Sequence, residues 1–261
     1  MELNKDNYYS LESDKEYISF SQIKQFDDCE AKAMAILNGE WKEEPSDAML
    51  AGAYFDAHFS HELEQFLKDH PQLFKKDGTL LAKYDVALKA IKAVEEDELF
   101  HDKFFTGDTQ TILTGEIDGL KFKGKLDYKF DDYTVDMKLM KDTKDIWVPE
   151  DRVWEPFYIH YGYHYQGAIY RELRKLIEGE YKPYFLAVVT KEDVPSKEVY
   201  HFNDDLLDLA LGIVIRKAHH IQDLKDGKAK PVACGCCDYC KSHYKFSLDD
   251  IHEVGKEIIT G

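Results

Sequence analysis

KGKLDYKFDDYTVDMKLM, residues 123–140, alternates apolar with polar side chains, breaks at an acidic pair and then resumes the alternation. A period of two marks β-strands, and the interruption marks a turn between them. Leu120, Phe122, Leu126, Tyr128 and Phe130 share one parity, and Lys121, Lys123, Lys125, Asp127 and Lys129 the other. Past the turn, Val135, Met137 and Leu139 alternate with Thr134, Asp136 and Lys138. A two-residue turn at Asp131 and Asp132 pairs Phe130 with Tyr133, and counting outward sets Asp127 opposite Asp136. A four-residue loop gives the same pairing; a three-residue loop does not. Like charges facing each other across a strand pair are destabilising, so something must compensate. Two compensations fit: Lys125 and Lys138 as a second cross-strand pair on a solvated face, or a divalent cation shared by the carboxylates.

Outward from this hairpin the period changes. SFSQIKQFDDCEAKAMAIL, residues 19–37, has Ser21 as a cap and Ile23, Phe26, Ala33, Ile36 and Leu37 at helical spacing. Further helices are expected over about 46–69 and 79–99, and three antiparallel strands over about 106–140. A helix over about 153–178, a buried strand in YKPYFLAVVTKE, a shorter one in SKEVYHF and a helix over about 203–226 complete the pattern. This order predicts one α/β domain over 1–228, with a helical N-terminal region and a mixed sheet flanked by helices. Residues 229–261 are expected to form a terminal appendage packed on it.

No apolar run approaches the roughly 18 residues of a membrane span, and the polar, acidic start MELNKDNYYSLESDKEY has no signal-peptide pattern, so a cytoplasmic protein is expected. The net charge of −17 opposes a nucleic-acid partner on average. Local charge is not set by that average, and a bound metal inverts the field around acidic residues. Of five cysteines, Cys29 stands alone and Cys234, Cys236, Cys237 and Cys240 cluster in CGCCDYC, a pattern that favours metal over disulfide.

The interval from Asp127 through a strand turn to Asp136-x-Lys138 resembles the core of the PD-(D/E)xK nuclease superfamily, with Leu126 where the nominal motif has proline. GAYFDAH, residues 52–58, resembles the segment whose histidine adds a metal ligand in RecB-type nucleases, and Gln166 with Tyr170 resembles the Q-x-x-x-Y motif that faces DNA there. SFSQIKQFDDCEAKA at the start and CGCCDYC at the end are most similar to the phage-type RecE-like exodeoxyribonucleases. The resemblance covers about residues 20–220. It implies a PD-(D/E)xK fold and a Mg²⁺ or Mn²⁺ ion held by Asp127, Asp136, the Met137 carbonyl, His58 and Glu116, with Lys138 orienting a water. It implies double-stranded DNA ends as substrate, 5′-to-3′ polarity, a ring-shaped homo-oligomer with Lys121, Lys123 and Lys125 facing a channel, and a single-strand annealing partner. Cys29, Cys234, Cys237 and Cys240 resemble the four thiolates that hold an iron-sulfur cluster in AddB-type nucleases, and four thiolates suit either [4Fe-4S] or zinc. The alternatives are an iron-sulfur nuclease of repair or adaptive immunity, and a non-catalytic DNA-binding subunit on the same scaffold.

Overall fold

The computed structural model describes residues 1–251. The chain opens with helices α1 (Leu11–Glu16), α2 (Phe20–Asp28), α3 (Glu30–Leu37), α4 (Asp47–Phe59), α5 (Leu63–Asp69), α6 (Asp85–Glu95) and α7 (Glu98–Phe104). Strands β1 (Asp108–Ile117), β2 (Leu120–Lys129) and β3 (Thr134–Met140) follow, then a small hairpin of β4 (Ile146–Val148) and β5 (Val153–Glu155). The rest comprises α8 (Phe157–His160), α9 (Tyr163–Glu178), β6 (Tyr184–Thr190), β7 (Lys197–Phe202), α10 (Asp204–Lys225) and α11 (Asp238–His243).

Five strands form one mixed sheet in the order β1-β2-β3-β6-β7, antiparallel throughout except where β3 runs parallel to β6. The β3–β6 pair needs a long crossover, which α8 and α9 supply. Parity along β3 and β6 then divides the apolar residues between two cores. Leu186 and Val188 face α9 and α10, with Ile169, Leu173 and Val214; Val135, Met137, Ala187 and Val189 face α4 and α6, with Phe55, Ile91 and Val94. The sheet is thus a filled layer between helices, as the alternation predicts.

Four of the five predicted helices are divided, and the one expected over about 203–226 stands whole as α10. Cys29, in extended backbone (φ −169°), ends α2 and caps α3; Asp97 separates α6 from α7 and caps the latter. The stretch 153–178 begins as β5 rather than helix, and α9 starts only after Gly162, whose left-handed φ of 75° breaks it from α8. Helical spacing of apolar residues survives such a break, because both pieces bury the same face; the caps decide where the axis turns.

Two glycines allow α9 to lie close on the sheet. A Cβ on Gly167 would stand 2.5 Å from the Tyr184 ring, and one on Gly124 2.9 Å from the Tyr170 ring. Arg174, 1% exposed, ties α9 to the hairpin turn by donating to the Tyr133 carbonyl (2.8 Å) and the Thr134 hydroxyl (3.1 Å). The residues that end up beside the acidic pair are therefore positioned by backbone contact. Among the described residues no helix is long and apolar enough to cross a membrane.

Candidate active site

The hairpin keeps its expected register only near the turn. The Phe130 N–H donates to the Tyr133 carbonyl (3.0 Å), Lys129 pairs with Thr134 and Tyr128 with Val135. On that count Asp127 faces Asp136, but the ladder stops one pair short of them. Instead, Asp127 Oδ2 accepts from the Met137 N–H at 2.9 Å, a side chain taking over where the two backbones part. The strand also changes face here: Leu126 packs in the core under α9, whereas Tyr128 packs in the core under α4. Residues two apart on a regular strand share a face, so the single-parity reading of Leu126 and Tyr128 fails at Asp127. Across from Asp127 on β1, Gln110 takes a left-handed φ of 55°, an uncommon conformation for a non-glycine residue that kinks the neighbouring strand at the same level. Ile18 pairs with the first half of β2, donating to the Lys121 carbonyl and accepting from the Lys123 N–H.

The parting strands leave Asp136 completely buried. Gln166 Nε2 donates to Asp136 Oδ1 (2.7 Å) and to the Tyr170 hydroxyl (3.0 Å), which itself donates to the Lys125 carbonyl (3.0 Å). Four residues is one helical turn, so Gln166 and Tyr170 reach neighbouring strands from one face of α9. The Lys138 ammonium contacts Asp136 and stands 4.0 Å from Asp127 Oδ2, over the Tyr163 ring. Burial, reinforced by Asp127 and opposed by Lys138, pushes the Asp136 carboxyl up to about 7. Burial pulls Lys138 down, but the two carboxylates outweigh it and hold the ammonium above its ordinary value.

A third carboxylate joins them from α4. Asp56, four residues after Gly52, accepts from Gln110 Nε2 at 3.2 and 3.3 Å, and burial followed by the Asp127 charge pushes it up to about 7. Asp56 and Asp127 together line two clefts. One, of about 230 Å³, also meets Tyr9, Ser19, Gln110 and Gln166; the other, of about 300 Å³, also meets Met137 and Lys138. Buried acceptors outnumber donors around this point: Gln110 Oε1 and Gln166 Oε1 have no hydrogen-bond donor, and Asp136 Oδ2 meets the Lys138 ammonium alone. Carboxylate and amide oxygens without protons suit a hard divalent cation, so the residues present fit Mg²⁺ or Mn²⁺.

Other expected site residues lie elsewhere. His58 bonds Glu95 through Nε2 (2.9 Å), packs edge-on against Phe59 and lines neither cleft. Two positions beyond Asp56, it points about 200° around the helix, so the carboxylate reaches the site and the imidazole does not. Glu116 is exposed near the far end of β1, opposite Lys121. Lys123, expected in a channel, is 2% exposed and donates to the Tyr8 carbonyl, Ser13 Oγ and Asp14 Oδ1. Lys121 pairs with Glu16 (2.8 Å), and Lys125, over the Tyr9 ring, lines the cleft together with the buried Lys123. Gln166 and Tyr170 are buried, and their polar atoms serve Asp136 and the Lys125 carbonyl.

The family described as a PDDEXK-like domain of unknown function (DUF3799) matches residues 19–243. The chain belongs to this family. A solved structure titled "Putative exonuclease", from Eubacterium rectale, shares 36% identity with a TM-score of 0.91, covering 100% of this chain and 98% of that one. The crystal structure of SSO0001, with 16% identity over 84% of this chain and 91% of that one, has a TM-score of 0.33. No curated protein matches the chain. The PDDEXK-like assignment agrees with the mixed five-stranded sheet and its flanking helices. Sequence reading missed two residues of the site. Asp56 lay inside the quoted GAYFDAH, where helical period from Gly52 singles it out over His58; Gln110 carries no sequence signal, because a left-handed residue in a strand is visible only in the backbone.

At the break between α2 and α3, the Sγ atoms of Cys29, Cys234, Cys237 and Cys240 lie within 4.8 Å of one another. Among the described residues these four form the only such group of ligands, so the aspartates make the more open arrangement.

Proposed function

We propose that this PDDEXK-like protein is a divalent-metal-dependent exodeoxyribonuclease acting on ends of linear duplex DNA. The observation that carries the reading is the convergence of Asp56, Asp127 and Asp136 beside Lys138, with the Asp56 and Asp136 carboxyls raised by burial and by the Asp127 charge. The end-directed part rests on the 36% identical neighbour titled an exonuclease.

In this reading Asp127, Asp136 and Asp56 hold the cation, with the Met137 carbonyl completing the protein ligands. The bound ion supplies positive charge to the scissile phosphate and acidity to the attacking water. Gln166 keeps Asp136 oriented through its 2.7 Å bond, and Gln110 keeps Asp56 turned toward Asp127. Lys138 Nζ, protonated between two carboxylates, offers its N–H groups to the water and to the charge that builds on phosphate oxygens. Lys125, with Tyr9 beneath it, is placed to meet a backbone phosphate. Gln166 and Tyr170 border the cleft where the strand end lies. The 5′-to-3′ polarity, a ring-shaped oligomer, an annealing partner and a role in phage recombination belong to the same proposal, on the strength of the RecE-like resemblance. We also take the four cysteines as a structural metal centre with no part in hydrolysis.

Linear duplex DNA labelled at the 5′ or the 3′ end, incubated with Mg²⁺ or Mn²⁺, tests this directly. End-dependent release of label that is lost in Asp136→Asn and Lys138→Ala is expected, and the labelled end reports polarity. Release that survives both substitutions, or none from folded wild-type protein with either metal, overturns the reading.

A further inference from the structure

The four-cysteine cluster has a geometry that distinguishes between the two metal centres its ligands allow. Cys29 and Cys240 sulfurs are 3.6 Å apart and Cys234 and Cys240 sulfurs 3.8 Å, with all four inside 4.8 Å. These separations are far beyond a sulfur–sulfur bond of about 2.05 Å. They match the edges of a tetrahedron whose centre lies about 2.3 Å from each sulfur, which come to roughly 3.8 Å. An iron-sulfur cluster puts each thiolate on a different iron, so its sulfurs must stand further apart than those around one ion. A single ion fits this spacing and a cubane does not.

The surroundings are those of thiolates. Cys29 Sγ accepts from the N–H groups of Lys32 and Cys234, both at 3.5 Å. Cys234 Sγ accepts from the Cys237 N–H and Cys237 Sγ from the Cys240 N–H, both at 3.4 Å. Backbone donors aimed at sulfur stabilise the charged form. Cys29 and Cys240 are buried, and the site has no open position of the kind a catalytic ion needs. Cys236 is exposed, its sulfur 3.6 Å from that of Cys234, and it stands outside the set of four.

We propose that Cys29, Cys234, Cys237 and Cys240 bind one zinc ion in a closed tetrahedral site that staples the C-terminal knuckle to the start of α3. This rests on reading the cluster as a metal centre and is independent of nuclease activity. The staple reinforces contacts already present, in which the Ala31 N–H donates to the Val232 carbonyl and Glu30 accepts from the Val232 N–H. It joins positions more than two hundred residues apart, next to the Cys29 break that ends α2.

Metal analysis of the full chain, purified without oxygen and without added zinc, tests the proposal. One zinc per chain is expected, with no acid-labile sulfide. Zinc should fall to background in Cys29→Ser and Cys237→Ser and persist in Cys236→Ser and in Asp136→Asn. Because the first two variants can unfold, wild-type protein exchanged into cobalt gives a second readout: intense visible absorption of a tetrahedral cobalt tetrathiolate. Four irons with labile sulfide per chain, absence of any thiolate-bound metal, octahedral cobalt spectra, or full zinc content in folded Cys29→Ser would each overturn it. Absence of DNA hydrolysis by zinc-loaded wild-type protein supplied with Mg²⁺ or Mn²⁺ would count against the function proposed above and leave this inference standing.

Discussion

The two candidate metal centres of this protein differ in almost every physical respect. The aspartate site is built of oxygen ligands on three separate elements, leaves buried acceptors without donors and raises two carboxyls by burial. The cysteine site gathers sulfur ligands into one closed knot whose backbone N–H groups are directed at its sulfurs. Unmatched charge costs stability, and proteins keep it where a ligand or reaction intermediate supplies the missing partner. A closed knot costs nothing of that kind and contributes by restricting the unfolded chain. Activity and stability should therefore separate cleanly between the two sites.

The sharpest test of that separation is Asp136→Asn. It removes the central carboxylate but keeps the bond from Gln166 available, so hydrolysis should fall by about 10³-fold or more, with little change in melting temperature measured alongside. A loss of rate matched by a loss of stability would merge the two sites into one structural role. The converse variant is Cys237→Ser, expected to lower unfolding free energy by about 3–5 kcal/mol, the order for opening a long cross-linked loop. Denaturant unfolding checks it, and the rate per folded molecule should stay within a few-fold.

Smaller effects resolve the aspartate site itself. Asp56→Asn should reduce activity by about 10–100-fold and raise the Mg²⁺ concentration needed for half-maximal rate, whereas His58→Ala should leave both nearly unchanged. Equal losses in the two would restore the histidine to the site. Gln110→Ala removes the donor that turns Asp56 and should cost about tenfold, again read in the Mg²⁺ titration. Restoration of the rate at high Mg²⁺ identifies Gln110 as a positioning residue. At the scaffold level, Gly167→Ala drives a methyl into the Tyr184 ring and should destabilise the fold by about 1–3 kcal/mol, seen in thermal melting.

Much of this was legible in the chain alone, for reasons that are local. The period of two in β2 and β3, the DD turn and the count that sets Asp127 against Asp136 depend only on neighbours in sequence, and the turn fixed the register. The helical spacing that marks the helices is equally local, but it does not place their ends at Cys29, Asp97 and Gly162. Those ends follow from caps and from what each piece packs on. Lys123 reads as one of a row of exposed lysines, yet the N-terminal segment closes over it and supplies three acceptors.

Sequence by itself determined most of the strand and helix types, the donor types available to both candidate centres and the resemblance to PD-(D/E)xK nucleases, because residue identity and period carry that information; the β5 strand at Val153–Glu155 escaped it. Tertiary structure alone decided that β2 turns its face at Asp127, that Asp56 rather than His58 lines the clefts, that Gln110 holds it, and that the Cys29 sulfur meets three others two hundred residues away about one tetrahedral edge apart. These are distances between segments, set by how the sheet bends and the helices pack, and no pattern along one strand encodes them.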